Sequence, residues 1–177
     1  QDSYPPAKQS FEEAIRLDPA YIEAQDALGF VLEALGDENG AVSQYQKAAE
    51  LNEVRKAGFS TPYVNLSSFY NRQGDVDLAL KYARQALKEK PKSDAAYFQL
   101  AKALDRRNEL DEALAALKSA TEISPINSAY HYLLGSVYRK LGRTKESQDA
   151  LEVFRRLQQQ SSELEKKRRE RPVAENR

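Results

Sequence analysis

Residues 94–127, DAAYFQLAKALDRRNELDEALAALKSATEISPIN, decide the fold. Tyr97, Leu100, Ala101 and Leu104 recur at helical spacing, so one stripe of a first helix faces a neighbour while Gln99, Lys102, Asp105 and Arg106 face elsewhere. Arg107, Asn108 and Glu109 form a short polar break. Leu110, Ala113, Leu114, Leu117 and Ala120 then make a second stripe that ends before Ser124-Pro125. The alanines at 101, 113 and 120 lack bulk, which lets two helix backbones approach closely, and Tyr97, Leu104 and Leu117 fill the space between them. The stretch predicts an antiparallel helix pair, helix A followed by helix B.

The same pattern returns on both sides. Units beginning at 60, 94 and 128 lie 34 residues apart. In 60–93 the pattern is Tyr63, Leu66, Ser67, Tyr70 and Gly74, then Ala79, Ala83, Ala86 and Pro91; in 128–161 it is His131, Leu134, Gly135, Tyr138 and Gly142, then Ser147, Leu151 and Phe154. Residues 22–55 carry Leu28, Gly29, Leu32 and Gly36, then Ala41, Tyr45 and Ala48, and fall into line once the four-residue insert 56–59 is allowed for. Glu53 stands where other units have proline, so that helix B runs on toward Gly58, and Ser60-Thr61-Pro62 restarts the register with a hydroxyl cap and a first-turn proline. Residues 1–19 read as half a unit, a B helix alone, in which Ala7, Phe11, Ala14 and Pro19 hold the expected places and Pro5 and Pro6 close off any helix upstream. Residues 162–177 read as a charged helical extension and tail, helical to about Arg171 and frayed beyond Pro172.

A helix–turn–helix unit of 34 residues with these small and aromatic positions, a turn glycine and a closing proline resembles the tetratricopeptide repeat, from Ala7 to about Gln160. The departures are Glu53 for proline, Asn108 for the turn glycine, Ser147 for alanine and Phe154 for the last small residue. Phe154 puts a large ring where a further unit would need close approach, so stacking is expected to stop there. The resemblance implies an all-α, right-handed α-solenoid of antiparallel helix-pair repeats, here with a long C-terminal helix, and A helices lining a concave face. It also implies a non-enzymatic scaffold that binds a peptide or helix of a partner protein along that groove.

Carried over position by position, the groove-facing residues are Glu23, Asp26, Phe30 and Glu33, then Asn65, Ser68, Asn71 and Arg72, then Phe98, Gln99, Lys102 and Arg106, and finally Tyr132, Ser136, Arg139 and Lys140. The groove thus passes from acidic through polar to basic. Phe98 and Tyr132 beside Lys102, Arg106 and Arg139, with Asn65 and Arg72, form the candidate seat for an extended peptide or helix bearing acidic residues. The Lys/Asn clamp with which some family members grip a C-terminal carboxylate is missing. Its positions hold Asp26, Phe30, Asn65, Ala95 and Gln99 in one window and Val64, Ser68, Gln99, Ala129 and Leu133 in the other.

Chemistry of other kinds finds little footing. There is no cysteine, so no disulfide, thiol nucleophile or cysteine metal site, and neither an oxidising nor a reducing compartment is excluded. His131, the single histidine, falls where the family packs an aromatic ring. No Cys/His cluster, phosphate-cradling glycine loop or nucleophile elbow is present, so no catalytic residue, metal or cofactor is expected. Carboxylate pairs such as Glu12-Glu13 and Asp111-Glu112 are solvated helix faces. The basic tail is interrupted by Glu163, Glu165 and Glu170 and carries no interleaved aromatic residue, which argues against nucleic acid. No apolar run approaches membrane-spanning length, so a soluble chain without membrane insertion is expected, its compartment open. Asn65-Leu66-Ser67 matches an N-glycan acceptor, set on an expected helix.

Lys plus Arg and Asp plus Glu both number 27, yet the charge is unevenly spread. Residues 1–55 hold 11 acidic and 4 basic side chains, a net −7, whereas 56–127 carry +2 and 128–177 carry +5. An acidic front with an orphan B helix and a basic back with an unpaired helix support an alternative reading. The end of one copy covers the start of the next through Phe11, Ile15, Leu157 and Leu164, giving head-to-tail oligomers or filaments.

Overall fold

The computed structural model describes residues 4–169, which contain nine α-helices and no strand. Helix α1 spans Tyr4–Leu17; the hairpins that follow are α2 (Ile22–Ala34) with α3 (Glu38–Arg55), α4 (Thr61–Gln73) with α5 (Val76–Glu89), α6 (Asp94–Arg106) with α7 (Leu110–Ile123), and α8 (Ser128–Lys140) with α9 (Thr144–Arg169). Together they form an all-α solenoid of antiparallel helix pairs that ends in a long helix. Pro5 and Pro6 sit inside the first turn of α1 instead of ahead of it, because a first-turn amide has no intrahelical acceptor to lose.

Local chemistry marks the ends. Asp37, Asp75, Ser93 and Asn127 accept from the backbone N–H of Gly40, Leu78, Ala96 and Ala129, which satisfies first-turn donors of α3, α5, α6 and α8. The turns within three hairpins need a left-handed residue and use glycine, as at Gly74 (φ 81°); in the fourth, Asn108 takes φ 61°, a conformation asparagine tolerates better than most. The insert after α3 is equally built. Lys56 ends the helix at φ 51°, and buried Asn52 then ties the loop down: its Oδ1 accepts from Phe59 N–H at 2.8 Å and its Nδ2 donates to the Tyr63 hydroxyl at 3.3 Å. That hydroxyl donates in turn to the carbonyl of Ala49 at 3.2 Å.

Two apolar cores run along the stack. One gathers Leu28, Leu32, Tyr45, Tyr63 and Leu66, with half-buried Phe11 and Ile15 of α1 against it; the other gathers Leu80, Leu104, Leu117, Val137 and Tyr138. Within hairpins the helices meet at small residues. A Cβ on Gly29 would stand 2.6 Å from the Tyr45 ring and 3.1 Å from the carbonyl oxygen of Ala41. Since Tyr45 is 1% exposed and has nowhere to move, Gly29→Ala is expected to cost about 1–3 kcal/mol by overpacking, offset little by alanine's better helix propensity. An unchanged urea midpoint would contradict that.

Curvature follows from which helices touch. Consecutive A helices, α2 with α4, α4 with α6 and α6 with α8, approach one another directly, whereas no two of α3, α5, α7 and α9 bring a Cα pair within 8 Å. The A helices therefore line the inner, concave side. At the C-terminal end Phe154 folds back against Tyr132 of its own hairpin, ring centroids 5.3 Å apart, and every residue from Gln158 to Arg169 is exposed.

Candidate functional site on the concave face

The groove surface comes from α2, α4, α6 and α8, and its side chains meet across helices in a regular stagger. Asn65 donates to Asp26 at 2.8 Å, and Arg72 pairs with Glu33 at 2.7 Å; both contacts join positions 39 apart, one repeat plus the four-residue insert plus one residue. Past the insert the same stagger joins Lys140 to Asp105 at 2.6 Å, 35 positions apart. One carboxylate, that of Glu33, also accepts from the Tyr45 hydroxyl at 3.1 Å, and burial together with that charge pushes the Tyr45 phenol up from its ordinary value.

Those pairings neutralise part of the groove and leave the rest uncompensated. Among the described residues Lys102, Arg106 and Arg139 have no carboxylate within ion-pair distance, and Asp26 has no cation. Lys102 is half-buried, its ammonium 5.7 Å from the centroid of the Phe98 ring one turn away. Burial first, then the like charges of Arg106 and Arg72, hold its ammonium below the ordinary lysine value. Asp26 is the mirror case: burial raises its carboxyl to about 6, and the hydrogen bond from neutral Asn65 reverses only part of the shift. Two half-buried charges of opposite sign thus stand on α2 and α6, each without a counter-ion among the described residues.

The expected groove residues divide on inspection. Phe98 is half-buried, its ring 4.8 Å from that of Tyr130, whose hydroxyl donates to Asp94 at 3.0 Å; Tyr132 and Phe30 remain 56% and 57% exposed. Asn65 and Arg72 are both tied to acidic α2 partners, so the Arg72 charge is partly neutralised. Asn71 differs from the sequence expectation. It is buried to 1% exposure between α4 and α6, donating to the backbone and side-chain oxygens of Gln99 at 3.0 and 3.1 Å, because its place near the end of α4 turns it toward the neighbouring helix. Of the self-association candidates, Phe11 and Ile15 pack on the first core, Leu157 is half-buried and Leu164 is 62% exposed.

Elsewhere the signals are structural. His131 Nε2 lies 2.8 Å from the Pro125 carbonyl, a contact in which that nitrogen donates. Ser67, the hydroxyl of the possible glycan acceptor, is wholly buried and donates to the Ala79 carbonyl at 2.8 Å, so the motif lies inside a hairpin. A cleft of about 420 Å³ lies outside the groove, lined by Glu50, Glu53, Tyr63, Lys81 and Tyr82, and its lysine already lies over the Tyr82 ring, 5.2 Å from the centroid. Among the described residues no cluster of His, Cys, Asp and Glu fits a metal ion, and no helix is long and apolar enough to cross a membrane.

A curved stack of helix pairs with a continuous inner face lined by side chains defines the chain as a helical-repeat interaction scaffold. Sequence models described as tetratricopeptide repeat match residues 70–137 in one case and 22–55 and 128–152 in another. The chain belongs to the tetratricopeptide repeat family. No curated protein sequence matches it significantly. Solved structures similar to it include MamA (18% identity, TM-score 0.74, 92% of each chain covered) and YrrB (21%, 0.67, 89% of this chain and 79% of that one). PilF of Pseudomonas aeruginosa is similar as well (15%, 0.77, 88% of this chain and 69% of that one). At these identities the likeness is one of fold.

Proposed function

We propose that the chain is a non-catalytic scaffold that holds an extended segment or helix of a partner protein in its concave groove, with acidic side chains of the partner seated at Lys102 and Arg106. One observation carries this reading: a half-buried lysine, flanked by Arg106 and Arg72 and lacking a carboxylate partner among the described residues. An arrangement of like charges that weakens the free protein gains most when an anion arrives. Phe98 and exposed Tyr132 add the aromatic surface that anchors peptides in such grooves. YrrB, of similar fold, is described as having an unusual peptide-binding site, and a peptide-binding role fits the groove of this chain. Pull-down of a partner with the wild-type chain, repeated with Lys102, Arg106 and Arg139 reversed to glutamate, tests the reading; undiminished capture rules this groove out.

A second reading rests on the two ends. Leu17 on α1 is 71% exposed and Leu164 on α9 is 62% exposed, at ends of opposite net charge. Head-to-tail association through them is expected to show as a sedimentation coefficient that rises with protein concentration and falls with salt. A monomer at high concentration and low salt overturns it.

A further inference from the structure

The basic seat on α6 has a counterpart of opposite sign on α2. Asp26 is half-buried in the groove wall, where it accepts from the neutral amide of Asn65 at 2.8 Å, and among the described residues no cation lies within ion-pair distance. The nearby cation, Arg72, is committed to Glu33 at 2.7 Å and to the Ser68 hydroxyl at 3.1 Å. Each lone charge also has an aromatic ring one turn away on its own helix. Phe98 precedes Lys102, and Phe30, 57% exposed, follows Asp26.

Lone half-buried charges are costly in the free protein, and a ligand that neutralised only one would leave the other unchanged. We infer that the groove is built for a bipolar segment, an extended stretch of a partner protein that places a lysine or arginine on Asp26 over Phe30 and a glutamate or aspartate on Lys102 and Arg106. The inference rests on the groove reading above and adds to it the partner's charge pattern. Helix packing supplies the spacing. With α4 between them, the axes of α2 and α6 stand roughly 16–20 Å apart at 8–10 Å per packed pair. A strand advancing about 3.3 Å per residue covers that span in roughly six residues. The cation and anion of the partner are therefore separated by about five intervening positions, and which comes first sets the direction in which the segment lies.

Raised burial cost on both groups agrees with this. The carboxyl of Asp26 is pushed up and the ammonium of Lys102 pushed down, in each case chiefly by desolvation, and an arriving counter-charge reverses both.

Fluorescence anisotropy with four labelled peptides on the full chain tests it. Two carry a Lys-Arg pair and a Glu-Glu pair separated by five neutral residues, in either order; a third has the same composition with the pairs adjacent; a fourth keeps only the acidic pair. At least one spaced peptide is expected to bind about tenfold or more tighter than the adjacent and acid-only peptides. That advantage is expected to collapse to within twofold in Asp26→Asn, whose fold is checked by circular dichroism. Equal affinities for spaced, adjacent and acid-only peptides, or an advantage that survives Asp26→Asn, overturn the bipolar inference. In that event, acid-only binding that Lys102→Gln weakens leaves the acidic-groove reading standing. No binding by any of the four overturns both.

Discussion

Reversing Lys102 and Arg106 to glutamate together is expected to raise the Kd for an acidic segment about 100-fold or more, roughly 3 kcal/mol. Two terms add. The attraction of a half-buried ammonium and a neighbouring guanidinium for a carboxylate is lost, and two like charges now oppose the ligand in a groove where water screens only part of the field. The free protein does not suffer by the same amount. Wild-type Lys102 faces the like charges of Arg106 and Arg72, so a glutamate at 102 meets cationic Arg72 instead. Stability in urea is expected to stay within about 1 kcal/mol of wild type, which separates loss of binding from loss of fold. Rising salt should weaken the wild-type complex and help the reversed variant. A Kd within a few-fold of wild type would remove Lys102 and Arg106 from the site.

Asp26→Asn, by contrast, is expected to raise stability at neutral pH. The Asp26 carboxyl, raised to about 6 in the fold, returns to an ordinary value near 4 when the chain unfolds. Between those two values the folded state binds a proton that the unfolded state does not. Stability from this group is therefore gained as pH falls from above 6 toward 4 and is lost as pH rises through about 6. Asparagine keeps an oxygen to accept from Asn65 at 2.8 Å and removes the charge. At pH 7.5 the variant should be more stable by about 2 kcal/mol, discounted for the partial exposure of the site, or by about 4–8 °C in Tm for a chain of this size. At pH 4 the difference should vanish. Equal stability at pH 7.5 would mean that water or a cation already satisfies the carboxylate. A binding groove that stabilises its ligand at the expense of the free fold is the expected trade-off.

Much of the site was within reach of the sequence in principle. The 39-residue separation of Asp26 from Asn65 and of Glu33 from Arg72 is the repeat length, the insert and one residue, and that rule pairs Asp105 with Lys140 once the insert is passed. What the periodic reading passed over is the one-residue stagger between neighbouring A helices, which decides whether two groove charges face each other. Asn71 shows the same gap. Its place in the repeat aims it at the groove, yet the rotation of α4 against α6 turns it into the seam, where Gln99 takes up its amide hydrogens. Asn52 gave no periodic signal at all, since its role comes from the insert, which occurs once.

By itself the sequence determined the helix pairs and their curved stacking, because apolar spacing, turn residues and small residues at fixed places are local and recur every 34 residues. It also determined that charge along the chain runs from acidic to basic. Only the tertiary structure decided which of those charges are neutralised: Glu33 finds Arg72 and Asp105 finds Lys140, while Asp26, Lys102, Arg106 and Arg139 find no counter-ion among the described residues. The reason is geometric. Ion pairing requires atoms within 4 Å, and that distance depends on the stagger and rotation of neighbouring helices, which no single helix's sequence contains.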